Sequence, residues 1–176
     1  MLVTLRPVLE EDLDALATRE REVTSPFDDF GFRPSGALRR SFAENGCSPD
    51  AERGRLAVLA EGTLAGAVSW HPVQYGPNPG SRAFNVGIGL FPDRRHKGVG
   101  ARALQAIARY LFAHFVVERL EGSTDVENVV MQRACERAGF RKEGVLRGAQ
   151  YRLGAHHDLV LYSLLRGELA SLPALD

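Results

Sequence analysis

Residues 85–100, N-V-G-I-G-L-F-P-D-R-R-H-K-G-V-G, constrain this chain more than any other stretch. The first half alternates apolar residues with glycine and asparagine, the period-two pattern of a half-buried strand. Pro92 and Asp93 stop that strand, and residues 99–115 then carry Leu104, Ile107, Ala108, Leu111, Phe112 and Phe115 on one helical face. Between them lies Arg95-His96-Lys97-Gly98-Val99-Gly100. The first N–H groups of a helix lack partners within it, and the helix dipole favours negative charge there. A basic, glycine-bearing turn that opens a helix therefore suits a phosphate: Gly98 and Gly100 let amides approach closely, and Arg95, His96 and Lys97 add positive charge. Taken alone the hexapeptide fits a plain tight turn equally well. Two other phosphate motifs are absent, since no Gly-x-x-x-x-Gly-Lys-Ser/Thr occurs and no Gly-x-Gly-x-x-Gly follows a strand.

Around this stretch the chain reads as strand 2–6, helix 10–22, helix 37–45, a hairpin of 55–60 and 63–71 about Glu61-Gly62, and strand 81–90. After the long helix come strand 119–124, helix 127–138 closed by Gly139, and two strands near 143–151 and 157–165. That order predicts an α+β fold, a mixed sheet with helices on both faces, as one domain over 1–176 with a frayed tail at 170–176. Twenty-two basic residues balance 22 acidic ones, which argues against general nucleic-acid binding. Cys47 and Cys135 lack metal-ligand spacing and read as reduced thiols of a cytoplasmic protein with no metal. The early acids Glu10, Glu11, Asp12 and Asp14 do not suit a signal peptide, and no run of about eighteen apolar residues spans a membrane.

The loop at 24–36, T-S-P-F-D-D-F-G-F-R-P-S-G, admits two readings. Its phenylalanines pin it to the core, or it forms a substrate wall in which Phe27, Phe30 and Phe32 offer apolar contact and Asp28 and Asp29 attract a cation.

Four stretches in order give a family resemblance: L-R-P-V-L-E-E-D-L-D-A-L, V-G-I-G-L-F-P-D-R-R-H-K-G-V-G-A, E-N-V-V-M-Q-R-A-C-E-R-A-G-F-R-K-E-G-V-L-R and H-D-L-V-L-Y-S-L-L. Together they resemble the GCN5-related N-acetyltransferase (GNAT) family, and more narrowly its Rim-type branch of ribosomal-protein N-acetyltransferases. The match is good over roughly 80–165 and loose before it, with Arg95, Gly98 and Gly100 on the Gln/Arg-x-x-Gly-x-Gly/Ala signature. The resemblance implies a mostly antiparallel sheet with splayed central strands, and acetyl-CoA as cosubstrate. Backbone amides of Arg95, His96, Lys97, Gly98, Val99, Gly100 and Ala101 would hold the pyrophosphate of coenzyme A. Leu90 would pair with the pantetheine arm and supply the oxyanion donor, beside a bulge near 87–89 that opens a slot for the thioester. Asn128 would bind the pantetheine or cap its helix. The acceptor would be a small-molecule amine or a protein N-terminus, and the protein a monomer or homodimer.

The departures from the pattern bear on mechanism. Asn85 stands where many members carry a glutamate base, Met131 where the branch has serine, and Cys135 where the wider family has tyrosine. Cys135 is either core filler or a proton donor to the leaving thiolate. His71, at the open end of its strand, is a candidate catalytic group or one that orients substrate. Tyr151 and Tyr162 are further proton donors, and Glu143 and Asp158 fit branch motifs. Asn85 itself would face the acceptor, which is expected to enter between loop 24–36 and the turn at 153–157, opposite the cofactor. A non-catalytic acyl-CoA sensor, or a succinyl or longer-chain acyltransferase, is the alternative on the same fold.

Overall fold

A computed structural model describes residues 1–21, 25–31, 36–47, 52–172 and 174. Its strands are β1 (Val3–Pro7), β2 (Gly54–Ala60), β3 (Thr63–Gln74), β4 (Arg82–Leu90), β5 (Arg119–Asp125), β6 (Arg141–Arg152) and β7 (Ala155–Leu165). The helices are α1 (Leu13–Arg21), α2 (Ala37–Asn45), α3 (Val99–His114) and α4 (Val129–Arg137). One seven-stranded sheet runs β1-β2-β3-β4-β5-β7-β6. Every neighbouring pair is antiparallel except β4–β5, because the connection through α3 returns the chain in the same direction.

Alternation along the strands builds two cores. Val68 and Trp70 of β3, Phe84 and Val86 of β4, and Val160, Tyr162 and Leu164 of β7 are buried with the α3 stripe of Leu104, Ile107, Ala108 and Leu111. Edge-on aromatic contacts join this face, with Trp70 and Phe84 at 6.1 and 5.3 Å from Phe115. The opposite face over β2 and β3 is covered by Leu13 and Leu16 of α1 and Leu38 of α2, which pack near Ala67.

The far end of α3 is closed from a distance. Arg166, just after β7, donates to the carbonyl of Phe112 in the last turn of α3 at 2.6 Å, an acceptor the helix leaves unpaired, and to those of Phe115 and Val117 just beyond it at 2.6 and 3.0 Å. Ala170 and Ser171 lie in a 3-10 turn (Arg166–Ser171).

Two strand features position the site. The β4–β5 ladder has only three pairs, Ala83–Arg119, Phe84–Leu120 and Asn85–Glu121, and beyond Asn85 the strands part. At the apex a Cβ on Gly122 would lie 3.1 Å from the Val86 carbonyl, so only glycine admits this approach without a shift. The bulge expected at 87–89 is not there: β3 and β4 pair without interruption from Gln74–Arg82 to Gly66–Leu90. The irregularity falls instead in β2–β3, between Val58 and Leu59. Gly66 (φ 148°) sits at that point, where a Cβ would come within 2.1 Å of the Gly89 carbonyl. The backbone of β3 thus presses on β4 at Gly89, four residues beyond the last β4–β5 pair.

Candidate active site

The parted strands open into a cavity of about 940 Å³ lined by Gly87, Ile88, Gly89 and Leu90 of β4 on one side and Ser123 and Thr124 of β5 on the other. Hydrogen-bond phase decides which peptide groups face it. The Phe91 amide donates to the Ala65 carbonyl at 2.9 Å, making Phe91–Ala65 a bonded pair. In an antiparallel ladder bonded pairs alternate, so Gly89 and Gly87 bond towards β3 while Ile88 and Leu90 turn their N–H and C=O towards the β5 side. That side is the wedge. The Leu90 carbonyl accepts from Arg95 Nε at 3.2 Å.

At one end of the cavity stands the glycine turn. Gly98 caps α3 in the left-handed conformation (φ 78°), and His96 is left-handed as well (φ 59°). The first turn of α3 has no side-chain cap, and Gly98, Gly100 and Ala101 line the cavity beside Arg95 and His96. A Cβ at Gly100 would sit 3.8 Å from both Ala134 and Leu90, on the path between the turn and the wedge. Val99 is buried, and its side chain packs in the core. The Lys97 side chain is exposed and is not part of the cavity wall. Asn128 lines the cavity, and its Oδ1 accepts from the Met131 amide at 3.2 Å, so the N-cap role is present. Arg133 and Arg137, one turn apart on α4, add two cations at this end that the sequence reading missed although their i,i+4 spacing was visible.

The other end is built from the segment after α1. Phe27 and Phe30 line the cavity with Leu16 and Ser25. Phe27 is seated on Arg152, whose Cζ lies 5.8 Å from the ring centroid. Arg152 is itself buried. Its Nη2 donates to Asp125 Oδ2 at 2.7 Å and its Nη1 to Gln150 at 2.6 Å, with side-chain exposures of 3% for Arg152 and 2% for Asp125. His157 Nδ1 stands 3.6 Å from the same carboxylate. Burial alone would raise the Asp125 pKa, yet the bonds from Arg152 and from the Glu127 amide outweigh it and hold the carboxyl below its usual range.

Several expected site residues lie elsewhere. Asp28 lines the cavity beside the glycine turn, with Oδ2 3.7 Å from Arg95 Nη2. Asp29 accepts from the Gly31 amide at 3.2 Å, a local turn contact outside the cavity wall. Phe32 lies outside the described residues. Cys135 is buried in the core with α3, and desolvation pushes its thiol up to about 12, in keeping with the core-filler reading of the two offered above. Tyr151 is 65% exposed, stacked edge-on against His156, and neither it nor any residue of turn 153–157 lines the cavity. Tyr162 donates to Glu136, and burial pushes it up to about 12. Asp158 accepts from the Gly148 amide at 2.7 Å.

His71 and Asn85 form a register pair on the open face, with Glu121 beside Asn85 on β5. Both stand one residue pair out from Ser69 and Gly87, which do line the cavity. Glu121 is buried and accepts from Tyr75 Oη at 2.6 Å and Arg119 Nε at 2.9 Å. Arg119 also grips Glu143, holding that carboxyl below its ordinary range, with help from the Ser163 hydroxyl. No group of three metal-ligating side chains occurs, and no helix is long and apolar enough to cross a membrane, among the described residues.

The profile of the family described as acetyltransferase (GNAT) domain matches residues 3–141. The putative ribosomal N-acetyltransferase YdaF of Bacillus subtilis (strain 168) is 32% identical over 111 residues, covering 63% of this chain and 58% of that protein. Among solved structures, spermidine N-acetyltransferase from Vibrio cholerae in complex with CoA and spermine has a TM-score of 0.78 at 19% identity, covering 96% of this chain and 98% of that one. Mycobacterium smegmatis RimJ in complex with CoA-disulfide has a TM-score of 0.75 at 21% identity, covering 95% and 83%. At these identities the two structures share the fold.

Proposed function

The chain belongs to the acetyltransferase (GNAT) family, and from that premise we propose that it moves an acetyl group from acetyl-CoA directly to a primary amine within a ternary complex. The observation that carries this reading is the wedge. Paired strands part after Asn85 and turn the peptide groups of Ile88 and Leu90 into a cavity that ends in an uncapped helix N-terminus.

The residues fit coenzyme A. Amides from Arg95 to Ala101, aided by His96, Arg133 and Arg137, would hold its phosphates. The edges of Ile88 and Leu90 would pair with the pantetheine arm as a strand pairs, and Asn128 retains its Nδ2 donors for the same arm. When bound, acetyl-CoA supplies an acyl group activated as a thioester. The Leu90 amide, aimed into the wedge, serves as the oxyanion donor.

The amine must be neutral to attack. Asn85 cannot take its proton, and Glu121 is engaged by Tyr75 and Arg119. His71, exposed directly across from Asn85, is the group we assign to accept the proton, through water, from an amine over Gly87. The acceptor is a small-molecule amine or a protein N-terminus held against Phe27 and Phe30. The names of the relatives include both classes, ribosomal proteins and spermidine.

Release of free thiol from acetyl-CoA is measured with a panel holding spermine, amino acids and a peptide with a free N-terminus. Binding of coenzyme A without thiol release for any amine would overturn the reading. His71→Asn is expected to lower kcat about a hundredfold. An unchanged kcat removes His71 from the mechanism.

A further inference from the structure

We infer that the Ser69 hydroxyl receives the acceptor amine and holds it over a strip of β4 that carries no side chain. This rests on the acyltransfer reading above and names the group that positions its nucleophile. Val68 and Trp70 of β3 and Val86 of β4 point into the core. Alternation then puts Ser69 and His71, and Gly87 and Gly89, together on the other face. Ser69 pairs with Gly87, and Ala67 with Gly89. Two positions of β4 beside the parting strands are thus bare backbone. Neither glycine has a positive φ, and a Cβ on Gly89 would meet nothing within 4 Å. Neither backbone conformation nor packing demands a glycine at 89. What its missing side chain leaves is room: Gly87 and Gly89 line the cavity together with Leu16 of α1 and with Phe27 and Phe30 after it.

One hydroxyl stands over this strip. A Cβ built on Gly87 would lie 3.1 Å from Ser69 Oγ, so the oxygen sits where a side chain of Gly87 would begin. Ser69 is half-buried and lines the cavity. The other hydroxyls of the wall are placed differently. Ser25 Oγ accepts from the Phe27 amide at 3.3 Å, while Ser123 and Thr124 lie across the wedge on β5. His71 follows Ser69 by two residues on the same face of β3, about 7 Å away at the backbone, a gap that one water bridges. Ser69 therefore connects an amine over Gly87 with the group assigned to take its proton. In the step, the nitrogen lone pair attacks the thioester carbon. The C–N bond forms, and the C–S bond breaks with its electron pair going to sulfur. Ser69 Oγ accepts a hydrogen bond from one N–H of the amine, which turns the lone pair towards the wedge. The proton that the nitrogen loses passes through water to His71, which yields it to solvent, and solvent protonates the thiolate.

Thiol release from acetyl-CoA is measured with spermine, phenylalanine and a peptide with a free N-terminus, in the parent, Ser69→Ala, Ser69→Thr and Gly89→Val. Circular dichroism confirms that each variant is folded, and calorimetry reads coenzyme A binding. Ser69→Ala is expected to lower kcat/KM for every amine the parent accepts by about tenfold or more, with KM for acetyl-CoA and Kd for coenzyme A within about twofold. Ser69→Thr keeps the hydroxyl and falls between parent and Ser69→Ala. Gly89→Val raises KM for the amine about tenfold and leaves coenzyme A binding within about twofold, because its methyl groups fill the strip and not the wedge. A merely structural role for Ser69 would not separate amine from cofactor in this way. Ser69→Ala with kcat/KM for the amine within about twofold of the parent overturns the inference and leaves the acyltransfer reading standing. A loss that falls on coenzyme A binding alone does the same. No thiol release by the parent with any amine overturns that reading, and the inference with it.

Discussion

Replacing Arg152 by leucine tests whether one buried ion pair holds the acceptor wall in place. Arg152 and Asp125 expose 3% and 2% of their side chains, so water cannot take over when one partner is removed. Breaking a buried pair from one side typically costs about 3–5 kcal/mol, since the remaining charge is stranded. Asp125 keeps its bond from the Glu127 amide at 2.8 Å, which places the expected loss near the lower figure, about 3 kcal/mol. Loss of the cation beneath Phe27 adds about 0.5–1 kcal/mol. Against a domain stability of roughly 5–15 kcal/mol the variant stays folded but shifts its urea midpoint clearly. The double variant Asp125→Asn with Arg152→Leu is expected to recover part of the loss, because no lone charge remains. The pH dependence has a definite sign. In the parent the Asp125 pKa is depressed, so its contribution is complete above the unfolded value of about 3.9 and is lost as pH falls through the folded one. In Arg152→Leu the depression is gone and burial favours the protonated acid, so parent and variant converge as pH drops below about 4. Denaturation followed by circular dichroism at pH 7 and at pH 3.5 reads both effects. A loss under about 1 kcal/mol at pH 7, with no recovery in the double variant, would refute the argument.

Gly100→Val places methyl groups between Ala134 and Leu90 in the cavity, and calorimetry is expected to show coenzyme A binding weakened at least about tenfold. Asp28→Asn removes an anion 3.7 Å from Arg95, so the same titration should show binding tightened a few-fold, an effect that fades in high salt; weaker binding would contradict the assigned pairing. Cys135→Ala should keep turnover within a few-fold while costing about 1 kcal/mol of stability, and a hundredfold loss in a folded variant would return Cys135 to the chemistry.

Local pattern made the elements legible, and long-range pairing decided the site. The α3 stripe predicted a helix over 99–115, and α3 is Val99–His114. Glu61-Gly62 predicted a turn, and both residues are left-handed there, at φ 50° and 76°. The glycine turn, Leu90 and Phe27 all reached the cavity. The misses share a cause. Nothing in the loop of Asp28 reveals that Arg95 stands 3.7 Å from it. Gly87 and Gly89 drew the bulge to β4, whereas the close backbone approach belongs to Gly66 on the neighbouring strand. Cys135 has the spacing of the inner face of α4, and its burial settles the packing reading.

The contact that Arg166 makes with the end of α3 bears on the order in which the protein matures. Three carbonyls at 112, 115 and 117 wait for a side chain that follows the last strand, about fifty residues later. On the ribosome the glycine turn and the body of α3 emerge well before that cation exists. A nascent chain can therefore hold a formed turn on a helix whose other end is still open to water. The helix whose first turn lines the cavity is made well before its last turn is secured.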